Sequence, residues 1–169
     1  MSDAREPALS IVVERNAGRL TLSEAASDGR RLLLSANIVP GCGDSGTPEG
    51  TYVGGTWIKD KTNPAHGPVP WSTEPWRNPY GPYFLPLNDA RTGRHTTYGI
   101  HGTRGPLAGN FEKPPVPQRL LAAVLGDNEA RYLYCSHGCV RLSNQNIVKL
   151  FEITTQPRLA RTRITITIK

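Results

Sequence analysis

Apolar and polar residues alternate in short runs along most of the chain, and helical spacing is confined to its last third. "LSIVVER" (9–15) and "GRLTLSE" (18–24) read as a β-hairpin, with Asn16-Ala17-Gly18 supplying the turn. "RRLLLSANIV" (30–39) predicts a third strand that stops where Pro40 removes a ladder donor. "TYVGGTWIK" (51–59) predicts a fourth, with a bulge at Gly54-Gly55. "YGPYFLPL" (80–87) and "TTYGIHGT" (96–103) are strand-like and are joined by the turn-forming "NDARTG". "RTRITITIK" (161–169) alternates with strict period two, the pattern of a half-buried strand. Between these, "PQRLLAAVLGD" (117–127) sets Leu120, Leu121, Val124 and Leu125 at helical spacing. "SNQNIVKLFEI" (143–153) predicts a helix with Ser143 as N-cap and Ile147, Leu150 and Phe151 facing inward.

The order is mainly β with one or two short helices, which predicts a mixed β-sandwich or barrel with helical decoration. At 169 residues, with a mean hydropathy of −0.41, the chain suits one globular domain over residues 9–169 behind a short tail, 1–8. Its 17 glycines and 15 prolines fit a turn-rich β body. Residues 60–79, rich in proline and tryptophan without periodicity, read as a long surface loop or lid.

The net charge of +6 would suit an anionic polymer. The arginines are scattered (Arg30-Arg31, Arg91/Arg94, Arg158/Arg161/Arg163), and no basic stripe interleaved with aromatics argues for nucleic acid. Three cysteines leave at least one thiol free or shared with another chain, so this is not a disulfide framework.

The chemistry concentrates in "YCSHGCVRLS" (134–143), which admits three readings. Cys135, His137, Cys139 and His101 are four soft ligands in principle, but no Cys-x-x-Cys knuckle aims two sulfurs at one point. A Cys135–Cys139 disulfide would have to span roughly 13 Å of extended chain. A Cys42–Cys135 bridge stays open, although Cys135 reads more simply as a small buried strand residue. The third reading is a reactive thiol. Cys139 follows Gly138, where the chain can turn and present both sulfur and amide groups. His137, Arg141 and the upstream His101 of "YGIHGT" complete the parts needed for acyl transfer. "GCGDSG" lacks the Lys-Ser/Thr of a phosphate cradle and reads as a lip near the cleft.

"YGIHGT" (98–103) followed by "SHGCVRL" (136–142) resembles the active-site motif of the L,D-transpeptidases, the YkuD-type cysteine enzymes of bacterial cell walls. "TPEGTY" (47–52), the N-terminal hairpin, the "SNQNIVKLFEI" helix and the last strand extend the likeness over most of residues 9–169. The resemblance implies a YkuD-like fold with Cys139 as nucleophile and His101 as general base, oriented by the carbonyl of Gly102. It implies an oxyanion hole from the N–H groups around Gly138 and Cys139, lined by His137. Arg141 would hold a substrate carboxylate or brace the loop, and Ser136 would brace it or line the substrate site. Tyr83, Trp71 and Trp76 are candidates for the cleft wall or for ordinary packing. His137 competes with His101 as base on proximity alone, whereas His66 and His95 read as solvated. The 34 residues between His101 and Ser136 exceed the usual family connection, and "FEKPPVPQRLLAAVLGDNEA" within 104–130 reads as a proline-led helical insert beside the cleft.

The implied reaction is L,D-transpeptidation through a Cys139 thioester on peptidoglycan stem peptides, forming 3→3 cross-links or exchanging the terminal D-amino acid. An L,D-carboxypeptidase is the alternative, with a secreted antibacterial effector that damages the cell wall as one form of it. A non-catalytic wall-binding domain or a zinc-stabilised domain are the readings from other classes. No cofactor is implied, and carbapenems are expected to acylate the same thiol. "MSDAREPALSIVVERN" lacks the basic and apolar regions of a signal peptide, and no run suits a membrane span. The expected site of action is nonetheless the periplasm or cell wall. The chain would be trimmed of its signal, delivered by a route that reads no cleavable signal, or retained in the cytoplasm to act on recycled muropeptides.

Overall fold

The computed structural model describes residues 8–41, 46–105, 123 and 136–169. The strands are β1 (Leu9–Glu14), β2 (Arg19–Ala26), β3 (Gly29–Asn37), β4 (Gly50–Gly54), β5 (Ile58–Lys59), β6 (Tyr83–Asp89), β7 (His95–His101), β8 (Val140–Arg141) and β9 (Ile164–Ile168). Among the described elements the helix α1 (Asn144–Thr154) precedes the last strand. Among the described residues the strands form one sheet in the order β3-β2-β1-β9-β4-β6-β7-β8, with β5 added on β6. The mainly β architecture expected from the alternation is therefore present.

Neighbouring strands are mostly antiparallel, but β1–β9 and β7–β8 are parallel. The two ends of the order meet. Val39, two residues past β3, donates to the Arg141 carbonyl at 2.9 Å and accepts from the Arg141 N–H at 3.0 Å. That exchange curls the sheet toward a barrel. Its concave filling comes from alternate residues: Leu9, Ile11 and Val13 of β1, Leu20 and Leu22 of β2, and Ile164, Ile166 and Ile168 of β9 are all buried. Ile147 and Leu150 of α1 add to the same core, fully buried. Ser143 caps the helix by accepting from the Asn146 N–H at 3.2 Å, while Phe151, expected inward, is only half-buried.

The sequence reading of 51–59 as one bulged strand is corrected. Gly54 ends β4, and Gly55 passes so close to β6 that a Cβ there would lie 3.2 Å from Pro86. The Gly55 N–H donates to the Pro86 carbonyl at 2.8 Å, and the chain resumes pairing only as the two-residue β5. Residues 60–79 run as turns with no α-helix or long strand. Their fixed point is Asn78, fully buried, whose amide donates to the carbonyls of Lys61 and Val69 at 2.8 and 2.7 Å. The helix expected over 117–127, the insert within 104–130, Cys42 and Cys135 fall wholly or mostly outside the described residues, as does any disulfide between those two cysteines. Among the described residues no helix is long and apolar enough to cross a membrane.

Candidate active site

The parallel pairing of β7 with β8 brings the two motifs together. Ile100 lies opposite Val140 and His101 opposite Arg141, and the Leu142 N–H donates to the His101 carbonyl at 2.8 Å. One step back in that register sets Cys139 beside Gly99. Alternate residues of paired strands share a face, so Cys139 falls on the side that carries His101. On its other flank the segment is tied to residues 38–41: Ser136 N–H donates to the Pro40 carbonyl at 3.1 Å, in addition to the Val39–Arg141 exchange. The long connection between the motifs does not disturb this register.

The imidazole of His101 is held on three sides. Its Nδ1 lies 2.7 Å from the Gly102 carbonyl, Phe84 stacks on it at 5.7 Å between ring centroids, and Tyr80 meets it edge-on at 5.4 Å. A carbonyl can only accept, so Nδ1 carries the proton and Nε2 keeps its lone pair. Phe84 can lie there because residue 99 is glycine; a Cβ would sit 2.2 Å from its ring. Burial drives the His101 pKa down to about 3, helped by the positive charges of Arg141 and Lys61 and opposed by backbone hydrogen bonds with Gly102 and Tyr80. At neutral pH the ring is therefore an uncharged base.

Cys139 is half-buried and free. Burial pushes its thiol above the ordinary range, while a backbone hydrogen bond with Gly99 and the charges of Lys61 and Arg141 pull the other way. The turn that presents it depends on Gly138, whose φ of 112° lies in the left-handed region. Thr47 of the "TPEGTY" segment, itself buried, donates from Oγ1 to the Gly138 carbonyl, and Ser136 donates from Oγ to the Cys139 carbonyl. The Gly138 N–H in turn reaches Ser136 Oγ at 3.3 Å. Ser136 thus ties the turn together from within.

His101 and Cys139 open onto one cleft of about 660 Å³, which is also lined by Ser136, His137 and Arg141. His137 is exposed, whereas Arg141 is only 2% exposed. Tyr83 is elsewhere. It stacks on Phe151 at 4.0 Å and meets Trp57 edge-on, so the aromatic wall comes from Tyr80 and Phe84 instead. Trp71 and Trp76 likewise pack against Gly105 rather than the cleft; Trp71 Nε1 donates to its carbonyl at 2.9 Å. His66, read from sequence as solvated, is exposed but lines the cleft with Lys61 and Asn63. Among the described residues no group of three or more His, Cys, Asp or Glu side chains is gathered for a metal.

A family profile for the YkuD L,D-transpeptidase catalytic domain matches residues 9–166. The chain belongs to the L,D-transpeptidase catalytic-domain family. Solved structures share the fold at low identity. The helical cell shape determining protein Pgp2 from Campylobacter jejuni is 14% identical with a TM-score of 0.58, over 98% of this chain and 48% of that one. An L,D-transpeptidase from Stackebrandtia nassauensis is 15% identical with a TM-score of 0.55, over 100% and 58%. The Enterococcus faecium L,D-transpeptidase is 19% identical with a TM-score of 0.51, over 94% and 49%. The chain thus spans about half the length of the first of these proteins. No curated protein sequence matches the chain significantly.

Within this L,D-transpeptidase-family fold, one positioning residue escaped the sequence reading. Asn144, the first residue of α1 and fully buried, accepts from the Thr103 N–H at 2.8 Å and donates to the Gly105 carbonyl at 3.0 Å. It pins the loop that begins at His101 onto the helix. Only the spacing "CVRLSN" hinted at it, and a first-turn asparagine reads from sequence as a cap. Asn144→Ala would leave a buried donor and acceptor unsatisfied. The expected cost is about 2–4 kcal/mol, read as a lower thermal midpoint, with Asn144→Asp intermediate because it keeps the acceptor. An unchanged midpoint for Asn144→Ala would contradict this role.

Proposed function

We propose that the protein is a cysteine acyltransferase acting on peptidoglycan stem peptides. Cys139 Sγ attacks the carbonyl of the L-centre of meso-diaminopimelate in a tetrapeptide stem, and His101 Nε2 takes the thiol proton. The Cys139 backbone N–H holds the oxyanion, while the Gly138 N–H stays on Ser136 Oγ and keeps the turn in shape. Collapse breaks the amide bond, terminal D-alanine leaves with the proton from His101, and a Cys139 thioester remains. An amine of a second stem resolves it to a 3→3 cross-link, a D-amino acid exchanges into it, or water releases a tripeptide. The site of action is then the cell wall.

The observation that carries this reading is that His101, with Nδ1 committed to the Gly102 carbonyl, shares a cleft with Cys139. Family membership supports the substrate class. Incubation with purified disaccharide-tetrapeptide, followed by mass analysis, tests it. Dimers, exchange products or tripeptide are expected, and their proportions separate amine from water as acceptor. Recovery of intact tetrapeptide alone would reject the proposal.

A further inference from the structure

The cleft has a charged group that the sequence reading passed over. Lys61 leaves the sheet just past β5 and lines the cleft together with Ser136, His137 and Cys139. Its ammonium lies 3.9 Å above the centroid of Phe84, the ring that stacks on His101, and 5.3 Å from that of Tyr80. Among the described residues no carboxylate pairs with it, whereas Arg15, Arg77, Arg158 and Lys169 each meet one.

Its placement is built rather than incidental. Asp60, immediately before it, has a φ of 50°, in the left-handed region that few non-glycine residues adopt. That conformation is held by the Asp60 carboxylate, which accepts from the Ser72 N–H at 2.9 Å and the Ser72 hydroxyl at 2.8 Å. The Lys61 carbonyl is in turn fixed by the buried amide of Asn78 at 2.8 Å. Three separate contacts from the 60–79 loop therefore set where this one side chain starts.

The electrostatics say what it faces. Among the described lining residues the charged side chains are Lys61, Arg104 and Arg141, and none is Asp or Glu. A concave site of one sign concentrates ligands of the other. Arg141, expected from sequence to hold a substrate carboxylate, is 2% exposed, so a ligand in the cleft meets Lys61 more readily. A cation resting on an aromatic face is partly desolvated and gains most from an anion that completes its shell.

We propose that Lys61 is the carboxylate receptor of this cleft, pairing with a carboxylate of the acyl donor and selecting anionic stem peptides over amidated ones. The inference rests on the stem-peptide reading above for its ligand, but not on turnover. The carboxylate is that of the terminal D-alanine or that of the diaminopimelate side chain, and the two are separable by amidating one at a time.

Calorimetric binding of three tetrapeptides to the Cys139→Ala protein tests it: one with both carboxylates free, one amidated at D-alanine and one amidated at diaminopimelate. One amide should weaken binding by roughly tenfold to a hundredfold, and that amide identifies the partner. Adding Lys61→Met should erase the difference, with the free peptide falling to the level of the amide, while Lys61→Arg preserves it. Thermal midpoints establish that each variant is folded. An unchanged free-to-amide ratio in Lys61→Met, an equal loss for all three peptides, or no binding of the free peptide overturns the proposal. Lys61-dependent binding by a protein whose unsubstituted form never turns the peptide over would instead reject acyl transfer and leave the receptor standing.

Discussion

Replacing Cys139 with alanine is expected to abolish product formation from disaccharide-tetrapeptide while leaving the thermal midpoint nearly unchanged. The side chain is half-buried and its removal takes away one sulfur, so packing loses little. The backbone of the turn is held independently, by Thr47 on the Gly138 carbonyl and by the flanking Val39–Arg141 exchange. Chemistry loses its nucleophile altogether, and losses of that kind reach on the order of a millionfold in kcat. Residual activity within tenfold of the unsubstituted protein would place the reaction elsewhere. The resting thiol is also expected to be sluggish toward neutral alkylating agents, because burial raises its pKa. Alkylation of Cys139 by iodoacetamide should keep climbing past the pH at which an exposed cysteine levels off.

Replacing His101 with glutamine is expected to slow acylation by about 100- to 10,000-fold, the usual worth of a positioned general base. Glutamine fills similar space and can still donate toward the Gly102 carbonyl, which isolates the loss of the Nε2 lone pair from the loss of packing. The pH dependence carries the sharper signature. With its pKa held to about 3 by burial and by Arg141 and Lys61, His101 stays neutral through the mildly acidic range. Acylation should therefore persist well below pH 6.5, where an ordinary histidine would already be half protonated. An acid limb centred near 6.5 would contradict the buried, unprotonated ring. Stability moves in the same window. Below about 6.5 the unfolded chain binds a proton that the folded ring refuses until about pH 3, so stability falls as pH drops between those values. His101→Gln should flatten that part of the curve.

Much of the frame was legible because it rests on local periodicity. The N-terminal hairpin, the helix behind Ser143 and the last strand each show their period in the residues themselves, and each is present. The proximity of "HG" to "SHGC" was not legible from spacing; it came from resemblance, and the β7–β8 register accounts for it. What escaped notice depends on which face of a strand meets which neighbour. In β6, Tyr83 and Phe84 must point to opposite sides, yet alternation cannot say which side holds the cleft. Tyr83 faces α1 and Phe84 faces His101. Lys61 and Asn144 were invisible for a related reason. One sits in a loop without period and the other in the first turn of a helix, and each gains its meaning only from a residue 17 or more positions away. The split of 51–59 followed from the close approach of β6, a contact between segments that neither records alone.

Intact-mass spectrometry of the unsubstituted protein, mixed with disaccharide-tetrapeptide and acid-quenched early, bears most directly on whether imidazole and sulfur work together in this cleft. The predicted result is a single adduct equal to the donor minus D-alanine, mapped to Cys139, removed by hydroxylamine and absent from His101→Gln at the same time point. Protein that stays unmodified, with Cys139 still open to alkylation, or that carries the adduct on another residue, would contradict it.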